Sequence, residues 1–272
     1  MVETREFYEI ILIIYALSVI GYFIDFIHDN QRANKIAFWL IGIVWAIQSL
    51  FLIYQLFIAH SFPITSFLDS LFFYSWVLIT LSLIINRLFP VNFIVFFIHV
   101  FSFFILLLSF SATGPVNSAF TERPFADELL AAHITLAIVS YGFFTIGFLF
   151  SLMYLIQYRF LKAKKGLNWM WRFGDLNQLD RYAFITVTIA VPLLLLAIIL
   201  GVVWAYISAS TFYWIDMKTI GSILVLVVYI FYLVLRVVKG YQGKFLSLYN
   251  TSAFFVLIIN FFLFSTLSNF HF

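Results

Sequence analysis

The chain has 272 residues, 64% of them hydrophobic, 22% aromatic and only 10% charged. A soluble domain would be about 45–50% apolar and about 25% charged, so this composition leaves too little polar surface for a water-soluble globule and too little charge for a disordered chain. The net charge of +3 and the pI near 9.0 need no nucleic acid to explain them, because basic residues concentrate in the cytoplasmic loops of membrane proteins.

Eight segments meet or approach the ~20 apolar residues that a helix needs to cross a bilayer. The first, 7–27, follows Met1-Val2-Glu3-Thr4-Arg5-Glu6, which lacks the basic region of a cleavable signal, so it is expected to be retained. The second, 36–58, ends just before His60, and the third, 67–86, carries Asp69 in its first turn. The fourth, 91–110, holds His99 near mid-membrane. His133 opens the fifth, 131–157, while Pro192 falls inside the sixth, 183–206, and is expected to kink it. The seventh and eighth are 219–239 and 246–268, with His271 just beyond the last. Pro90, Pro115 and Pro124 lie between spans. Runs this long and continuous do not read as the short alternating strands of a β-barrel. The expected fold is all-α: a polytopic integral membrane protein of about eight transmembrane helices, one membrane domain over 1–272, with no soluble domain.

Twelve of the 15 Lys and Arg, among them Arg87, Arg159, Lys162, Arg236 and Lys244, fall in or beside the loops after spans one, three, five and seven. Positive residues stay in the cytoplasm, so both termini are expected outside. That orientation places His60, His133, Asp216 and His271 on the outer face and His28 on the inner one. The largest inner loop, about 158–182, contains Lys162-Ala163-Lys164-Lys165 and Trp169-Met170-Trp171. It reads as a topology determinant with aromatic interface anchors, or as a docking site for a cytoplasmic partner or anionic lipid.

Ionisable groups inside or beside a membrane span are costly and invite a functional question. A neutral imidazole is a good iron ligand, and haem is a flat apolar macrocycle suited to a wall rich in Phe and Trp. His133 is followed at helical spacing by Ala137 and Ser140, small side chains that would leave room beside the ring. Each histidine at a span end is either such a ligand or an imidazole hydrogen-bonded at the water boundary. The deep His99 is expected to bond to a neighbouring helix, and His28, beside Asp29, to belong to the aqueous boundary. Gly147 and Ser151 read as a helix-packing seam. With no cysteine there is no disulfide, CxxC redox pair or thiolate haem linkage. No GxGxxG, P-loop, HExxH or GxSxG occurs, nor the paired intramembrane carboxylates of proton-coupled carriers.

Four stretches resemble the cytochrome c assembly family that includes CcsA and CcmC, membrane proteins that handle haem. Phe62-Pro63-Ile64-Thr65-Ser66-Phe67-Leu68-Asp69 is similar to a proline-led loop entering a helix, with Asp69 where a Glu is usual. Leu130-Ala131-Ala132-His133-Ile134, running to Ser140-Tyr141-Gly142, resembles the helix that opens on an external haem-ligating histidine. Gly201-Val202-Val203-Trp204-Ala205 and Tyr213-Trp214-Ile215-Asp216-Met217-Lys218 correspond to the family's external tryptophan-rich segment. Here Ile215, Met217 and Thr219 replace the usual Trp, Pro and Glu. Ser268-Asn269-Phe270-His271-Phe272 resembles the second external histidine motif.

The degraded tryptophan segment and the stop just after His271 look like the shorter HemX branch. Its members accompany haem-biosynthesis genes in Gram-positive bacteria and are associated with lowering glutamyl-tRNA reductase. The resemblance thus implies a non-enzymatic protein of the bacterial cytoplasmic membrane that binds haem b. His133 and His271 would be its axial pair, and Trp204, Trp214 and Asp216 its wall or rim, with Lys218 a further neighbour. It implies cytoplasmic contact with the reductase or its protease through the basic inner loops. Two other readings stand beside it: a haem-delivery subunit working with a cytochrome c maturation partner, and a small-molecule or haem exporter without bound cofactor.

Overall fold

The computed structural model describes residues 2–57, 67–88, 92–111, 124–164, 175–207 and 217–267. Among them are eight helices: α1 (Val2–His28), α2 (Gln31–Phe57), α3 (Phe67–Leu88), α4 (Asn92–Ser111), α5 (Pro124–Ala163), α6 (Leu176–Ile207), α7 (Met217–Val237) and α8 (Lys244–Leu267). All but α4 have a described stretch long and apolar enough to cross a membrane, and the apolar part of α4 spans Ile94–Phe110. The chain is an all-α, multi-pass membrane protein.

Apolar runs locate the spans, but several helices outlast them. The fifth begins at Pro124 rather than at 131 and continues to Ala163, and the sixth begins at Leu176 rather than at 183. Hydropathy registers what sits in lipid, whereas helix ends obey local capping. Pro124, expected between spans, takes the first helical position, where its missing N–H costs nothing. Asp175 caps α6, its carboxylate accepting the Asn177 N–H at 3.2 Å. Asn30 likewise caps α2, accepting from the N–H groups of Arg32 and Ala33. The helix α6 runs without interruption through Pro192.

The helices fall into two compact units, Met1–Asn117 and Ser118–Phe272. Lipid tails are as apolar as leucine, so close packing and interhelical hydrogen bonds must hold each bundle together. In the first unit, Trp45 on α2 donates to Thr80 on α3, while Trp76 on α3 donates to Ser49 on α2, at 2.9 and 2.8 Å. Thr80 and Ser49 in turn donate to the carbonyls of Trp76 and Trp45, which closes a reciprocal pair. Ser75 and Ser102 join α3 to α4 at 2.9 Å.

In the second unit, α5 and α6 meet along residues spaced by seven, most of them small. His133, Ser140 and Gly147 on α5 run antiparallel to Ala197, Ala190 and Ala183 on α6. Gly147 permits this approach, since a Cβ there would lie 2.9 Å from the Thr186 hydroxyl. Ser140 donates to the Ala190 carbonyl at 2.9 Å. Asn250 pins α8 to α5, its amide donating to the Gly147 carbonyl and the Ser151 hydroxyl at 2.9 and 2.8 Å. Phe144 and Tyr229 stack α5 on α7 with ring centroids 3.8 Å apart. At the basic end, Arg236 of α7 pairs with Asp180 of α6 at 2.6 Å.

Candidate functional site

His133 lies on the α5 stripe that faces α6. Its Nδ1 is 2.6 Å from the carbonyl oxygen of Ala197. A carbonyl can only accept, so Nδ1 carries the hydrogen and the ring's lone pair is on Nε2. Metal-binding histidines are commonly held this way, one nitrogen donating to a backbone carbonyl that fixes tautomer and orientation while the other serves the metal.

The imidazole also needs space, and Gly201 supplies it. A Cβ built at position 201 would stand 2.7 Å from both Cε1 and Nδ1 of His133. Even one methyl group there collides with the ring. Trp204 lies one turn further along, on the same face of α6 as Ala197 and Gly201 by its i+7 and i+3 spacing.

From the other side the first turn of α7 brings Lys218, whose ammonium is near enough to act electrostatically on the His133 imidazole. Its Nζ donates to the Asn260 carbonyl at 3.3 Å and sits 5.8 Å above the Phe261 ring. Below it the fully buried Asn260 donates its amide to the Tyr141 hydroxyl at 3.1 Å and contacts the Ser222 hydroxyl at 3.5 Å. One end of the second unit thus gathers a tautomer-fixed imidazole, a cation and a polar amide from four helices. Among the described residues, no group of three or more His, Asp and Glu side chains assembles that could hold a bare metal ion.

Of the residues expected at the site, His133 and Trp204 are placed on these adjoining helices. Trp214, Asp216 and His271 lie outside the described residues, as does His60. Ser140 differs from expectation: its hydroxyl is buried in the α5–α6 seam rather than left as room beside a macrocycle. His99 meets its expectation, bonding Tyr15 of α1 at 3.3 Å and Ser82 of α3 at 3.1 Å. His28 is exposed at the end of α1. Ala197, Gly201, Tyr141 and Asn260 carry structural weight at the site that their residue types alone did not announce. The available signals were a glycine inside an apolar helix and an asparagine inside a phenylalanine run.

Residues 64–271 match the sequence profile of a family described as Cytochrome C assembly protein, a range that includes His133, Trp204, Trp214, Asp216 and His271. Protein HemX of Bacillus subtilis (strain 168) is 48% identical over 261 residues, covering 96% of this chain and 94% of that protein. Protein HemX of Brevibacillus brevis is 37% identical over 272 residues, covering 100% and 99%. Cytochrome c biogenesis protein CcsA of Mesostigma viride is 25% identical over 240 residues, 76% of each chain.

Proposed function

The chain belongs to the cytochrome c assembly protein family, and from that premise we propose that it is a HemX-type, non-enzymatic protein of the bacterial cytoplasmic membrane that binds haem b. The haem would sit at the outer face between His133 and His271, with Trp204, Trp214 and Asp216 as its wall or rim. The observation that carries this reading is the seat of His133: Nδ1 held by the Ala197 carbonyl, the ring laid against the bare backbone of Gly201. That seat fits an iron porphyrin, since the Ala197 carbonyl holds the proton on Nδ1 and makes Nε2 the unprotonated nitrogen, the form in which an imidazole would ligate iron. Bound haem would supply iron coordination and redox capacity, and the protein's part is to hold the ring and restrict water. His133 supplies the ligand atom, Ala197 fixes its proton, and Gly201 sets its depth. Lys218 places a positive charge near the imidazole, suited to the carboxylates of a haem edge.

For the role in the cell, the near full-length likeness to two HemX proteins supports coupling haem status to lower levels of glutamyl-tRNA reductase, through contact of the basic inner loops with the reductase or its protease. The lower likeness to CcsA supports a second reading, haem delivery with a cytochrome c maturation partner.

Protein purified after expression with excess haem should show a Soret band that both His133→Ala and His271→Ala abolish. Wild-type protein without such a band would end the haem reading. Deleting the gene and measuring glutamyl-tRNA reductase and c-type cytochromes then separates the two roles. A raised reductase level with intact cytochromes supports the first, and lost cytochromes with an unchanged reductase overturns it.

A further inference from the structure

At the opposite end of the second unit a cavity of about 620 Å³ opens between the last turns of α5 and the first turns of α8. Leu155, Ala163 and Leu248 form its apolar surface, and Arg159, Lys162, Lys244 and Tyr158 line the rest. Among the described residues, no acidic side chain lines it. Leu248 is 45% exposed on the side of α8, so the apolar part of the cavity is continuous with the helix surface that faces lipid. The same hollow therefore offers hydrocarbon contact at one level and three positive charges at the next.

Those cations are not all arranged for the helices' own benefit. Lys162 suits the last turn of α5, the negative end of its dipole. Lys244 is the first residue of α8, where a cation faces the positive end of a helix dipole and is disfavoured. Its ammonium is steadied above the Tyr158 ring at 5.6 Å, at the cavity that Arg159 and Lys162 also line. Three like charges held around one hollow repel one another, and an anion between them would relieve that repulsion. By the distribution of Lys and Arg this is the inner end of the protein, the level at which bilayer phosphates lie.

We propose that this cavity is a binding site for one anionic phospholipid, its phosphate between Arg159, Lys162 and Lys244 and its acyl chain along Leu155 and Leu248. The site is independent of the haem reading and lies at the other end of the same helices.

Native mass spectrometry of the full-length protein in detergent, with phosphatidylglycerol or phosphatidylcholine added, tests it. Wild-type protein should retain one phosphatidylglycerol under conditions that strip phosphatidylcholine. Retention should fall about fivefold for each cation removed across Arg159→Gln, Lys162→Gln and Lys244→Gln. Leu248→Trp, which fills the apolar part and keeps every charge, should also reduce it, so the test survives if the triple variant fails to fold. A control removing Arg32, Lys35 and Arg87 by Gln substitution should retain the lipid as wild type does. Undiminished retention in the folded triple variant, equal loss in the control, or displacement of the lipid by millimolar inorganic phosphate would each overturn the proposal. The last outcome would mark a site for free phosphate.

Discussion

Among the described residues, each of the two units sets one histidine between its helices, and the two are held in different ways. His99, in the first, has no solvent exposure, and both ring nitrogens are bonded to side-chain hydroxyls from two other helices. Tyr22 stacks on it with centroids 5.1 Å apart and planes 17° from parallel. His133, in the second, is half-buried near a helix end, with Nδ1 fixed by a backbone carbonyl and its ring laid against a glycine. A histidine whose two nitrogens both serve the protein's own helices ties a bundle together. A histidine whose Nδ1 is fixed by a main-chain carbonyl has its tautomer and ring orientation set by the backbone, the arrangement that metal-binding histidines commonly share. Burial of an imidazole in a membrane protein is therefore not the informative fact; the identity of its partners is.

The largest expected effect separates the two directly. His133→Ala should abolish the Soret band of haem-loaded protein while leaving thermal unfolding nearly unchanged. His99→Ala should leave the band and destabilise the first unit by about 3 kcal/mol, the scale of truncating a buried aromatic ring. Absorption spectra and thermal melts of both variants in one detergent are sufficient. If His99→Ala loses the haem and His133→Ala keeps it, the comparison is inverted and fails.

Next in size is the glycine beneath the ring. Gly201→Val should lower haem retention by about tenfold, roughly 1.4 kcal/mol of ligand positioning, because a Cβ at 201 would already be 2.7 Å from the imidazole. Gly42→Val is the matched control, since a Cβ there meets nothing within 4 Å. Haem titrations of the two variants give the result, and equal affinities would show that Gly201 does not set the depth of His133.

This pair also shows how far the sequence could be read. Seven of the spans were legible because a bilayer demands about 20 apolar residues and the chain provides them in continuous runs. The extensions of α5 and α6 were not, because Pro124 and Asp175 act through the local geometry of helix starts and hydropathy is blind to that. His133 stood out as an imidazole at the mouth of an apolar span and through its resemblance to a family motif. Its partners did not, because pairing residue 133 with 197 and 201 depends on the antiparallel register of two helices. That register follows from contact positions repeating every seven residues on both, small ones throughout α6 and at Ser140 and Gly147 on α5, a pattern interpretable only once the helices are known to be neighbours. Ser140 was misread for the same reason: a small residue beside a candidate ligand is equally a residue at a helix contact, and here the contact took it.

A smaller effect is expected within the His99 cluster. Tyr15→Phe removes the hydroxyl 3.3 Å from Nδ1, and Ser82→Ala the one 3.1 Å from Nε2. Leaving a buried nitrogen unpaired costs about 1–3 kcal/mol in water-soluble proteins. Interhelical bonds in membranes average nearer 0.6 kcal/mol, because the unfolded state in lipid also finds partners. Each variant should therefore lose about 1 kcal/mol in reversible unfolding from detergent, with haem retention unaltered. A loss of haem in either would mean that the first unit is coupled to the site after all.

The smallest expected change has the opposite sign, and it asks whether every polar group around His99 contributes. The Tyr22 ring is 3% exposed and stacks on the imidazole, yet its hydroxyl has no hydrogen-bond partner among the described residues. A buried hydroxyl without a partner keeps its desolvation cost and gains nothing in return. Tyr22→Phe retains the stacked ring and removes only that oxygen, so it should be neutral or stabilising by up to about 1 kcal/mol. Set beside Tyr15→Phe, it is the same chemical change one helical turn pair away on α1, with the sign decided solely by whether the oxygen has a partner. A melting temperature that falls as much for Tyr22→Phe as for Tyr15→Phe would show that ring placement, rather than hydrogen bonding to His99, stabilises this bundle.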